Sequence, residues 1–105
     1  MSGRDAEEKV KRFLQSRGCY LQQERLWTPY GEVDLLFRNQ QGLLLVIEVK
    51  SLSSNSDVSQ RISPRQISRL KRVHQHFSEQ ESCRSLVFFV RFSGEMTWLG
   101  LEEFY

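Results

Sequence analysis

Long hydrophobic runs are absent from this chain. No stretch of about 18 apolar residues occurs, so no membrane-spanning helix is expected. The longest apolar stretch is Leu43 to Ile47, with Val49 just beyond. The opening Met-Ser-Gly-Arg-Asp-Ala-Glu-Glu lacks the apolar segment of a signal peptide, and the expected location is the cytoplasm. Cysteine is scarce as well. Cys19 and Cys83 make neither a CxxC pair nor a zinc-ligand spacing, and read as two reduced thiols. Neither sign of charge dominates, since the net charge is only +2. No repeat and no linker divides the sequence. Its 105 residues, 39% hydrophobic and 27% charged, suit one soluble globular domain spanning 1–105.

The elements follow from periodicity. Ala6 to Ser16 carries Val10, Phe13 and Leu14 at helical spacing, with Asp5 as N-cap and Gly18 as stop. Cys19 to Trp27 reads as a strand, and Pro29 and Gly31 as a turn. Val33 to Arg38 and Leu43 to Lys50 read as strands joined by the polar turn Asn39 to Gly42. The second of these is apolar at nearly every position, which predicts cover on both faces. Ser51 to Ser59 is serine-rich and reads as a loop. Ser63 and Pro64 then open a helix to about Glu79, with Ile67, Leu70, Val73 and Phe77 inward. Leu86 to Phe92 and Met96 to Leu99 complete the order α-β-β-β-α-β-β.

The strongest local feature is Gly31-Glu32-Val33-Asp34, followed after a short interval by Glu48-Val49-Lys50. Side chains alternate along a strand, so Glu48 and Lys50 share a face at the end of an apolar run. If Arg38 faces Leu43 across the turn, Asp34 falls opposite Ile47, or opposite Glu48 after a one-residue shift. Adjacent strands lie about 4.8 Å apart. Two carboxylates at that separation repel unless a cation lies between them, and oxygen-only ligation suits Mg²⁺ or Mn²⁺ rather than zinc. Such a metal lowers the pKa of bound water, and Lys50 beside it can orient that water and stabilise charge on phosphorus. The pattern points to phosphodiester hydrolysis. The simpler alternative is a plain ion pair at the mouth of a strand.

Several blocks resemble one family. Ala6-Glu7, Val10 and Phe13-Leu14 resemble its Gly-Glu, Ala and Tyr-Leu opening. Gly31-Glu32-Val33-Asp34-Leu35-Leu36 resembles its Gly-Glu-Ile-Asp-Leu-Ile, and Leu45-Val46-Ile47-Glu48-Val49-Lys50-Ser51 its Val-Phe-Val-Glu-Val-Lys-Thr. Pro64-Arg65-Gln66 with Arg69-Leu70 resembles the segment at its second helix. The family is the YraN-like group of small bacterial proteins, placed in the PD-(D/E)XK nuclease superfamily near the archaeal Holliday junction resolvases. The resemblance implies a small restriction-endonuclease-like mixed β-sheet flanked by helices. It implies that Asp34 and Glu48 bind metal, that Lys50 is catalytic, and that Glu7 is the first-helix acid. Spacing agrees on Glu7, which shares the inward stripe with Val10 and Leu14, although an acid also favours a helix N-terminus by itself. Gln66 stands where family members carry a lysine or another polar group, and could serve as an auxiliary catalytic side chain. The chain departs from the family in two places. Its loop after Lys50 lacks the arginine and Phe-Gly, and Arg84-Ser85-Leu86-Val87-Phe88 lacks the aspartate of Arg-Phe-Asp-Val-Val.

Between Arg61 and Arg72 there are five basic residues and no acidic one. Arg61, Arg65, Arg69 and Arg72 fall within roughly 80° on a helical wheel, an outward stripe suited to phosphate. Against it stands the usual reading of such runs as solvated helix faces. Trp27, Tyr30 and Trp98 could stack on bases, but such residues are more often packing. His74 and His76 do not share a wheel position that would hold one metal. The expected partner is nucleic acid, in the first place DNA of branched or single-stranded form. A non-catalytic nucleic-acid-binding or assembly module is the alternative. Junction resolvases are commonly dimers, so the resemblance also admits a homodimer, for which Met96 to Leu101 with Phe104 and Tyr105 offers an apolar surface.

Overall fold

The computed structural model describes residues 3–52 and 62–105. Helix α1 (Gly3–Ser16) precedes β1 (Tyr20–Thr28), β2 (Gly31–Arg38) and β3 (Leu44–Leu52). Helix α2 (Pro64–Ser78), β4 (Cys83–Arg91), β5 (Met96–Gly100) and a short 3-10 helix (Leu101–Phe104) follow. The expected order α-β-β-β-α-β-β is observed. The five strands form one sheet in the order β1-β2-β3-β4-β5, mixed because β3 and β4 pair in parallel while the other pairs are antiparallel. A parallel pair needs a crossover, and α2 lies in it.

Helix α1 covers one face of the sheet. Ala6, Val10 and Leu14 pack on Leu35, Phe37, Leu45, Ile47, Phe88 and Val90. Helix α2 covers the other, with Val73 and Phe77 against Val33, Leu36, Leu44 and Val46, and Leu70 against Val87 and Phe89. Strand β3 is therefore apolar on both sides, as its near-continuous run requires. Helix α1 starts at Gly3, earlier than the predicted Ala6. Asp5 lies inside its first turn, where a negative charge favours the helix N-terminus. Gly18 ends it at φ +83°, with Cys19 N–H donating to Leu14 O.

The β2–β3 turn is one residue longer than predicted. Asn39 Oδ1 accepts from both Gln41 N and Leu43 N, and Asn39 N donates to Leu43 O. Leu43 is thereby drawn into the turn, and Arg38 pairs with Leu44 rather than Leu43. Of the two registers the sequence allowed, this selects the shifted one. Helix α2 opens with the expected cap: Ser63 Oγ accepts from Gln66 N, and Gln66 Oε1 accepts from Ser63 N. Much of the C-terminal apolar segment is turned inward. Leu101 is buried, Trp98 stacks on Phe88 at 5.5 Å, and Phe104 lies 6.3 Å from Phe89. Cys19 and Cys83 are free thiols on opposite faces of the sheet. No helix among the described residues is long and apolar enough to cross a membrane.

Candidate functional site

The site lies where β2 and β3 part. Their ladder ends at Leu35↔Ile47, and one further step in the same register sets Asp34 across from Glu48. Asp34 Oδ2 accepts from Val49 N at 2.8 Å, so a side chain continues the pairing where the ladder ends. The face alternation of β2 also breaks here. Val33 packs in the α2 layer, yet Leu35, two residues on, packs in the α1 layer. Asp34 therefore sits at the point where both layers can influence it.

The electrostatics agree with that placement. Burial, and then the negative charge of Glu48, push the Asp34 carboxyl up to about 7. The Val49 N–H and the Lys50 ammonium act in the opposite direction. Glu7 approaches from α1. Its carboxyl is raised by burial first and next by Asp34, while Arg25 lowers it. Arg25 Nη2 lies 2.9 Å from Glu7 Oε1, held by a backbone at φ +48°. Arg25 was not anticipated, because nothing in its neighbourhood shows that a left-handed residue in β1 will aim it at α1. Glu8 faces away and pairs with Lys11 and Arg12.

Glu48 is buried, and its charge is answered twice. Lys50 Nζ stands 3.2 Å and Arg69 Nη2 3.3 Å from Glu48 Oε2. Lys50 reaches it along β3, as the two-residue period predicts. Arg69 reaches it from α2, and also donates to Glu32 O at 3.4 Å. Gly31 makes that reach available: it adopts φ +134°, and a Cβ there would meet Arg69 Nη1 at 2.9 Å.

The predicted arginine stripe is thus divided. Arg65 and Arg72 are exposed, while Arg69 turns inward onto Glu48; Arg61 lies outside the described residues. A hollow of about 610 Å³ runs along this side of α2, lined by Tyr30, Arg65, Gln66, Ser68, Arg69 and Arg72. Gln66 borders the hollow, but its side-chain oxygen is engaged by the helix cap rather than by Asp34 or Glu48. His74 and His76 do not converge either. His74 Nδ1 meets Ser85 Oγ at 2.7 Å, and His76 packs edge-on to Tyr30. Among the described residues no three His, Cys, Asp or Glu side chains gather as a ready metal cluster. What the site holds is a carboxylate pair, a third carboxylate tied to Arg25, and two cations on Glu48.

The fold is of the restriction-endonuclease-like class, a mixed five-stranded sheet between two helices. The structure superposes on the Holliday junction resolvase Hjc of Archaeoglobus fulgidus with a TM-score of 0.71 and 16% identity, over 95% of this chain and 73% of that one. A repair endonuclease of Pyrococcus abyssi gives 0.54 and 12%, over 87% of this chain and 38% of that one. At such identities the likeness establishes the fold. The chain belongs to the uncharacterised protein family UPF0102, which it matches over residues 6–93 and which is the YraN-like group. A UPF0102 protein of Caulobacter sp. (strain K31) is 38% identical over 74% of this chain and 55% of its own length. One from Shewanella frigidimarina is 29% identical over 93% of this chain and 94% of its own length. The first relatives are longer: the chain spans 55% and 52% of the Caulobacter and Rhodopseudomonas palustris (strain BisA53) proteins.

Proposed function

We propose that this chain is a divalent-cation-dependent phosphodiesterase acting on nucleic acid, in the first place DNA. The observation that carries the reading is the half-buried Asp34 carboxyl across from buried Glu48, raised to about 7 by desolvation and by Glu48 beside it. A buried carboxylate pair is costly without a cation between its members. Oxygen donors and like charge fit Mg²⁺ or Mn²⁺, which Asp34 and Glu48 would hold. Bound there, the ion supplies Lewis acidity and a more acidic water.

The remaining work falls to the chain's own side chains. Lys50 lies 3.2 Å from Glu48 Oε2, so an ammonium is fixed at the edge of the carboxylate pair. That charge stabilises the negative charge that builds on the phosphoryl oxygens. Arg69, held on the same Glu48 oxygen, orients a phosphate through its remaining fork donors. Glu7, kept by Arg25 and sensed by Asp34, completes the acidic surround from the α1 side.

A second reading is favoured by the two cations on Glu48, which already balance its charge without metal. It is a nucleic-acid-binding module that keeps the nuclease fold without catalysis. One experiment separates the two: Mn²⁺ titration by calorimetry together with a cleavage screen on branched, single-stranded and duplex DNA, comparing the native protein with Asp34→Ala. Metal binding and cleavage that disappear together in Asp34→Ala support the enzyme. Cleavage that persists at full rate in Asp34→Ala removes it, and salt-sensitive DNA binding with neither metal uptake nor cleavage selects the module.

A further inference from the structure

Tyr30 stands at the tip of the β1–β2 hairpin, and the tip is fixed. Thr28 Oγ1 accepts from Tyr30 N at 3.1 Å and donates to Gly31 O at 2.7 Å. One edge contact holds the ring against α2, with the His76 ring 6.1 Å away at 65°. The ring is still 47% exposed and forms a wall of the 610 Å³ hollow. That volume lies within the range of about 300–1,000 Å³ usual for small-molecule pockets.

Among the described residues no acidic side chain lines this hollow. Arg65 and Arg72 are exposed and make no ion pair among the described residues. A smaller hollow of about 110 Å³ shares Tyr30 and Arg72 with it, but includes Glu79 and is less suited to an anion. Arg69 is common to the large hollow and to the carboxylate site, since it lines the one and holds Glu48 in the other. A chain of phosphates crossing Arg69 would therefore have one residue in the hollow and the next linkage at Asp34 and Glu48.

We infer that the hollow between Tyr30 and α2 is a subsite for one unpaired nucleotide, its base stacked on Tyr30 and its phosphate held by Arg65 and Arg72. The inference rests on the phosphodiesterase reading for the direction in which the strand runs, and it deepens that reading by naming the substrate form. Arginine forks on phosphate are indifferent to base pairing. Tyr30 is not, because bases inside a duplex have both faces covered and only an unstacked base offers one to an aromatic ring. The substrate is therefore a strand with an unpaired nucleotide beside the scissile linkage.

The test is fluorescence anisotropy at low salt in EDTA. It uses labelled oligothymidylate and a long blunt duplex, with native protein, Tyr30→Ala, Tyr30→Phe and Arg65→Ala/Arg72→Ala. Tyr30→Ala is expected to weaken oligothymidylate binding about tenfold or more and duplex binding less than about twofold. Tyr30→Phe keeps the native affinity, which separates stacking from hairpin damage. Arg65→Ala/Arg72→Ala flattens the salt dependence on single strands, by about 0.7 in log–log slope for each phosphate no longer neutralised. An oligouridylate of equal length tells a DNA from an RNA source, and Tyr30-dependent binding of either supports the subsite. Equal loss on single strand and duplex, no loss at all, or native protein that binds only duplex overturns it. Because binding is read without metal, its outcome is separate from cleavage. Failure here leaves the hydrolytic reading standing, and loss of that reading leaves Tyr30-dependent binding in place.

Discussion

Asp34 faces Glu48 one step beyond the last β2–β3 ladder pair, and the charge of Glu48 opposes ionisation of the Asp34 carboxyl. The cause is positional. Asn39 draws Leu43 into the turn, the register moves by one residue, and the two acids come level. Glu48 pairs with two cations, Lys50 and Arg69, whereas desolvation and the nearby Glu48 raise the Asp34 carboxyl.

Metal-free stability should therefore depend on pH in a direction unusual for an aspartate. The carboxyl titrates near 3.8 when unfolded and near about 7 when folded, so folding takes up a proton between those values. The contribution of Asp34 is fully present below about pH 4, falls as pH rises, and is lost above about 7. Asp34→Asn removes the titration while its amide oxygen can still accept from Val49 N. At about pH 8 without metal the variant is expected to be more stable by a few kcal/mol. Urea unfolding in EDTA at several pH values measures this, and the gain must shrink towards pH 4. A gain that stays constant with pH means that burial of the Asp34 charge is not its source.

Gly31→Ala addresses the passage that Arg69 uses. At φ +134° an alanine is strained, and its Cβ would meet Arg69 Nη1 at 2.9 Å. The expected loss is about 1–3 kcal/mol in chemical denaturation. Part of it is steric, so Gly31→Ala made in an Arg69→Ala background should cost less. Equal costs in the two backgrounds would mean that backbone strain accounts for the whole effect.

Ser63→Ala opens the N-terminal cap of α2, the helix that carries Arg65, Arg69 and Arg72. Gln66 N loses its acceptor and the reciprocal bond from Ser63 N loses its frame. A loss of about 1 kcal/mol is expected from denaturant midpoints, and Ser63→Gly should cost only a few tenths. If Gln66 serves the cap and not the carboxylates, Gln66→Ala should lower stability while leaving any metal affinity of Asp34 and Glu48 unchanged.

Most of the frame could be read from the sequence because local rules suffice for it. The run Leu44–Ile47 requires cover on both faces, and α1 and α2 supply it. Ser63-Pro64 marks a helix start, and the Glu48/Lys50 period sets both side chains on one face. What escaped depends on contacts distant in sequence or on side-chain reach. The exact register needed the Asn39 side chain to capture Leu43 N–H. A helical wheel places Arg69 among outward arginines, but a long guanidinium at the edge of that stripe can fold back to a buried acid. Arg25 on Glu7 depends on one left-handed residue in β1, and Tyr30 beside α2 on where a hairpin tip lands. Neither leaves a local signal.

Arg69 gives the prediction that joins stability to metal binding. It holds Glu48 Oε2 at 3.3 Å from the α2 side, so in the metal-free protein it takes part of the role a cation would have. Arg69→Met keeps the apolar stem and removes the charge. Glu48 then keeps Lys50 but loses its second cation, and a buried carboxylate with less compensation costs about 1–3 kcal/mol. The same change removes a positive charge that repels an incoming divalent ion. Stability in EDTA should therefore fall while Mn²⁺ affinity, read by calorimetry, rises. A fall in both would make Arg69 a support that holds Glu48 in position for the metal. A fall in stability with no metal binding in either protein would make the Glu48–Arg69 pair structural and favour the non-catalytic module.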